Sequence, residues 1–122
     1  MKIAALVLPL AAVAALSGCT AHDYVTEHKW TIEAPTEVMK GTEFPFKVKL
    51  VDAQEKEADG VGYHYQIHWP GGSVQPLRHA GWTGEEQKRR ASIVPGTATV
   101  VVTCADKDGA VVKVAEAKVE VK

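Results

Sequence analysis

Cysteine is almost missing from this sequence: Cys19 and Cys104 are the only two in 122 residues. That excludes the disulfide-dense scaffold of many small secreted domains, so stability must come from apolar burial. Methionine is as sparse, with Met1 and Met39 alone, which rules out a thioether-rich copper(I) site. Charge of one sign is also absent, with 14 Lys+Arg against 15 Asp+Glu. So balanced a surface argues against nucleic acid as a partner, which calls for a strongly basic face. The one basic run, Lys88-Arg89-Arg90, follows Glu85-Glu86-Gln87 and reads as a solvated loop end.

Nucleophiles are scarce too. Serine occurs only as Ser17, Ser73 and Ser92, and no Gly-x-Ser-x-Gly elbow surrounds any of them. Cys104 shares the parity of Val100 and Val102, which predicts a small, inert core residue in place of a reactive thiol. With no acid–base pair in evidence beside these residues, the sequence does not read as an enzyme. Long hydrophobic runs are missing as well. The longest, Ile3 to Leu16, has 14 residues, whereas a helix crossing the hydrocarbon core needs roughly 20.

That run has instead the plan of a secretory leader, with Lys2 as the positive start and an apolar centre containing Pro9. It ends in Leu16-Ser17-Gly18-Cys19, which resembles the lipobox of bacterial lipoproteins. The resemblance implies that residues 1–18 are a signal peptide removed before Cys19. It also implies that the Cys19 thiol carries a diacylglyceryl group, that the new amino group is often acylated, and that 19–28 form a lipidated tether. One chain holds a protein only marginally, at about 0.8 kcal/mol per buried methylene, while two or three make attachment effectively permanent. In such lipoproteins an aspartate after the cysteine signals inner-membrane retention. Thr20 stands there, which favours the outer membrane in a double-membrane bacterium. The alternative is an ordinary secretory peptide cut near Gly18, with Cys19 incidental. Cleavage before Cys19 leaves 104 residues with thirteen basic and fifteen acidic side chains, enough for one domain. It also leaves Cys104 with no cysteine partner in the chain.

From about residue 29 the apolar period is two. Trp30, Ile32 and Ala34 alternate with polar neighbours, as do Phe44, Phe46, Val48 and Leu50, and then Val61, Tyr63, Tyr65, Ile67 and Trp69. Such alternation predicts half-buried strands. Pro45 cannot donate to a ladder, so its strand should begin there or run along an edge. Ala91 and Ile93 predict a short strand ending at the turn dipeptide Pro95-Gly96, and Ala98, Val100, Val102 and Cys104 share one face of the next. Asp106-Lys107-Asp108-Gly109 opens like a calcium loop but lacks the later ligands, which leaves a hairpin turn. In the last strand Val112 and Val114 fall on one parity and Ala117, Val119 and Val121 on the other, so a β-bulge near 115 is predicted.

The predicted fold is all-β: a single sandwich of six to seven strands over 29–122. The run from Thr97 to Gly109 followed by a valine-rich strand resembles the final hairpin of bacterial immunoglobulin-like and PKD-type modules. The strand Glu43–Val51, after Lys40-Gly41-Thr42, resembles their second strand. The resemblance implies an immunoglobulin-like sandwich, with Trp69 an echo of its core tryptophan. No second-strand cysteine stands ready to pair with Cys104, and no tyrosine lies two residues before it.

Two groups of side chains are candidate sites. His64 and His68 share the outward face of one predicted strand; they lie ~13 Å apart along it, too far to chelate alone. With His79, or with Asp59, they could form a zinc or copper site. The second candidate is the Gly/Pro-rich segment 70–87, where Trp82 has Arg78 and His79 nearby. Trp82 reads either as a lid folded over an open end of the sandwich or as a contact for a ligand or partner. The expectation is a lipid-anchored cell-envelope protein whose role is non-catalytic binding or structure, meeting an envelope protein through Arg78, His79 and Trp82. The alternative is a periplasmic metal-binding lipoprotein using His64, His68 and His79.

Overall fold

The computed structural model describes residues 29–52, 54–72 and 76–122. The signal peptide 1–18, Cys19, the tether 19–28 and Ser73 lie outside the described residues. Among the described residues eight strands follow in order: β1 (Lys29–Glu33), β2 (Glu37–Val38), β3 (Glu43–Val51), β4 (Gly62–His68), β5 (His79–Trp82), β6 (Glu86–Arg90), β7 (Gly96–Ala105) and β8 (Val111–Val121). They form two sheets, ordered β1-β3-β6 and β2-β8-β7-β4-β5, and all pairs are antiparallel except β2 with β8. No helix occurs among the described residues. If β1 and β2 are the halves of one first strand broken at 34–36, the order is A-B-E over A′-G-F-C-C′. This is the immunoglobulin arrangement without its strand D.

The period-two pattern builds the core as predicted. Phe44, Phe46, Val48 and Leu50 from β3 face Tyr63, Tyr65 and Ile67 from β4 and Ala98, Val100, Val102 and Cys104 from β7, all buried. Burying each of the larger aliphatic side chains contributes about 1.5–3 kcal/mol. The Phe46 and Tyr65 rings meet edge to face, centroids 4.9 Å apart at 81°, a geometry that adds about 0.5–1.5 kcal/mol. Trp69 packs edge-on against Phe44 at 6.1 Å, and is partly buried. Cys104 lies in the core, where burial pushes its thiol up to about 11.

Local devices also follow the sequence. Pro45 sits in the central strand of its sheet, but β1 pairs only with residues 47–51, so β3 has a partner on one side there. The bulge falls at Val114: Val102 pairs with Ala115 and Thr103 with Lys113, leaving one residue over. At the hairpin, the Asp106 carboxylate accepts from the amides of Asp108 and Ala110, and Gly109 takes φ +83°.

One strand departs from expectation. The predicted strand at 91–93 is instead β6 over 86–90; Ala91 is buried after it, but Ile93 is 78% exposed. The run Lys88-Arg89-Arg90 belongs to this edge strand and is no loop end, because Phe44 and Phe46 of β3 need a neighbour and Arg89 and Gln87 lie opposite them.

The connections sort into two ends. Lys29, residues 54–61, the 83–85 turn and the 106–110 hairpin share one end; the 39–42 turn, residues 69–72 and 76–78, and the 91–95 loop share the other.

Candidate binding site

β5 and β6 are consecutive strands that lie at the open edges of opposite sheets, so the turn between them carries the chain across the sandwich. Thr83 fixes that crossing. Its buried hydroxyl donates to the carbonyl of Ala58 at 2.6 Å and accepts from the amide of Val61 at 3.0 Å. Gly84 donates to the carbonyl of Val48 in the other sheet, at 2.9 Å. The flank is thereby closed at the Thr83 end.

Toward the other end a cleft of about 510 Å³ opens between the edges, lined by Ile67, His68, Trp69, Gly72, Pro76, Leu77, His79, Arg89 and Arg90. Among the described residues no carboxylate lines it. Arg89 projects inward from β6: its Nε donates to the Tyr65 hydroxyl at 2.8 Å, and its Nη2 donates to Nδ1 of His79 at 3.2 Å. The His79 ring in turn lies 5.2 Å from that of Tyr65. Arginine has no acceptor and does not deprotonate, so Nδ1 must be the acceptor and the imidazole is neutral with its hydrogen on Nε2. Burial, and then the adjacent Arg89 charge, hold the His79 imidazole below its ordinary value of 6.5.

Strand parity separates the residues that sequence grouped together. His79 is in register with Tyr65 and faces the interior, whereas Trp82 is in register with Gly62 and faces solvent. The indole lies over Gly62, where a Cβ would come 3.8 Å from its Nε1. Trp82 is 51% exposed on the outer face of edge strand β5, so it caps no end of the sandwich. Beside it is a shallow recess bordered by Asp59, Gly60, Gly84 and Glu85. Arg78 is exposed just before β5.

The same parity divides the histidines. His64 and His68 are exposed on the outer face of β4, the face opposite to His79. The predicted trio is therefore not brought together, and no group of three potential metal ligands occurs among the described residues. Asp59 lies instead against Gly84 near the Trp82 end, where a Gly84 Cβ would come within 2.5 Å of its carboxylate. Sequence reasoning missed Arg89, Tyr65 and Thr83 as polar actors. The available signal was Arg89 itself, a charge at an inward position of an edge strand.

No family model matches the chain, and no curated protein matches it. Among solved structures it is similar to the CARDB domain of a Pyrococcus furiosus protein, crystallised in complex with di-metal ions. The identity is 14%, over 78% of this chain and 87% of that one, with a TM-score of 0.42. A solution structure of the same domain is 15% identical over 78% and 94%, with a TM-score of 0.34. Likeness at this level assigns neither family nor ligand.

Proposed function

We propose that this protein is a lipid-anchored cell-envelope module with a non-catalytic binding role, docking another envelope protein through the outer face of β4 and β5. The observation that carries the reading is Trp82, a large aromatic half exposed on an edge strand. Tryptophan and arginine dominate the energetics of protein interfaces, and Arg78 precedes the same strand. The polar outer face of β4, with His64 and His68, would supply the rim around such an anchor.

The anchor would be the lipid on Cys19. Nine residues separate Cys19 from Lys29, a reach of at most ~30 Å. Lys29 and Trp82 share one end of the sandwich, so the partner would be engaged close to the membrane. In a double-membrane bacterium Thr20 favours the outer one.

The test is crosslinking in native membranes with mass-spectrometric identification, wild type beside Trp82→Ala. A specific partner captured by wild type and lost by the variant supports the reading, provided the variant's stability stays within about 1 kcal/mol. Equal capture by both removes Trp82 from the interface. In parallel, Cys19→Ser should lack palmitate label and leave the membrane fraction; a variant that stays membrane-bound contradicts the anchor.

A further inference from the structure

We propose that the cleft between β5 and β6 is a binding site for an organic carboxylate, gripped by Arg89 with its apolar part against Trp69 and Leu77. The inference is independent of the Trp82 surface, which lies toward the opposite end of the domain.

The guanidinium carries the argument. Arg89 is half-buried, yet it forms no ion pair with any carboxylate among the described residues; its partners are a phenol and a neutral imidazole. A guanidinium has five N–H donors in a rigid fork, and these contacts occupy one at Nε and one at Nη2. Among the described residues both hydrogens of Nη1 and one of Nη2 are left over, and the Nη1–Nη2 edge is one that carboxylates bridge bidentately. A half-buried charge without a counter-ion is partly desolvated, and an anion in the cleft would offset that cost.

The surroundings narrow the ligand. His79, with its hydrogen held on Nε2 by the Arg89 contact, adds a neutral donor, and Arg90, whose Nη1 donates to the Gly41 carbonyl at 2.7 Å, adds a second cation to the lining. Trp69, Pro76 and the 76% exposed Leu77 give an apolar wall. A bare inorganic anion would use the fork and leave that wall wet; a carboxylate on an aromatic or aliphatic group would use both.

An inward charge on an edge strand also deters pairing with a second chain. That role needs only a positive charge, so Arg89→Lys preserves it while removing the fork. The two roles therefore predict different outcomes.

The experiment is a nuclear magnetic resonance titration of the full-length protein with phenylacetate, its neutral isostere phenylacetamide, and inorganic phosphate. Saturable, coupled shifts of the Arg89 Nε and His79 ring signals are expected with phenylacetate and not with phenylacetamide, and phosphate should bind more weakly. Arg89→Lys should weaken phenylacetate about ten- to hundredfold, the cost of one charge-assisted contact. Leu77→Asp, on an exposed rim where folding is not at stake, should abolish binding through like-charge repulsion. The proposal is overturned if phenylacetate gives no saturable shift, if phenylacetamide or phosphate matches it, or if both variants bind as wild type does.

Discussion

The guanidinium of Arg89 and Nδ1 of His79 stand 3.2 Å apart, so two side chains usually counted as cations meet as donor and acceptor. That contact survives only while the imidazole is neutral. The His79 pKa is depressed in the folded protein, first by burial and then by Arg89. Protonation therefore favours the unfolded chain, and the contact's contribution is fully present above pH 6.5 and lost as pH falls through the lower folded value. Urea midpoints measured from pH 8 to pH 5 should show this acid loss, and His79→Asn should flatten that part of the curve. A variant with an unchanged profile would remove His79 as its source.

The two core tyrosines should respond oppositely to loss of the hydroxyl. Tyr65 accepts from Arg89, so Tyr65→Phe strands a charged donor and should cost about 1–3 kcal/mol. The Tyr63 hydroxyl is buried and makes no hydrogen bond among the described residues, and burial holds its pKa well above the ordinary value of 10.0. Tyr63→Phe should therefore be neutral or stabilising. Equilibrium unfolding of both variants checks the pair, and a large loss in Tyr63→Phe would contradict it.

Thr83→Val keeps shape and removes the hydroxyl that joins Ala58 and Val61. It should destabilise by about 1–3 kcal/mol, whereas Thr83→Ser should retain most of the stability. Denaturant titration of the two variants decides whether the hydroxyl or the methyl holds this crossing.

Gly81→Ala should also destabilise, by about 1–3 kcal/mol. Gly81 lies directly over Tyr63, where an added Cβ would come within 2.6 Å of its Oη. The double variant with Tyr63→Phe should recover part of the loss, and strict additivity would show that the two sites do not touch.

Cys104 should resist thiol reagents in the folded state. Its raised pKa makes the thiol's contribution to stability complete below pH 9.0 and lost as pH rises toward about 11. Alkylation at neutral pH should therefore track global unfolding; fast labelling of native protein would place the thiol at the surface.

Much of the fold was legible because one face of β3, β4 and β7 is almost wholly apolar, and a period of two needs no further context. The β8 bulge was legible for the same reason, since Val114 and Val119 cannot share a face without an extra residue. β6 was hidden because its inward positions are Gln87 and Arg89, which break the pattern that identifies a half-buried strand. β5 was hidden by brevity: His-Ala-Gly-Trp offers no alternation of its own. Without knowing that 79–82 is a strand, nothing in the sequence assigns His79 and Trp82 to opposite faces. The same point sets His64 and His68, on the outer face of β4, apart from the inward His79.

The chain enters the sandwich at Lys29 and leaves it at Val121, and these two points lie at opposite ends. A pull between them would run along the strands, so the β1–β3 and β7–β8 ladders would be loaded in shear and many hydrogen bonds would have to yield together. Unzipping, in which bonds break one at a time, is not available to a force in that direction. A domain tied down before Lys29 and tugged from its far end would therefore behave as a stiff mechanical link, transmitting load between its two ends without lengthening.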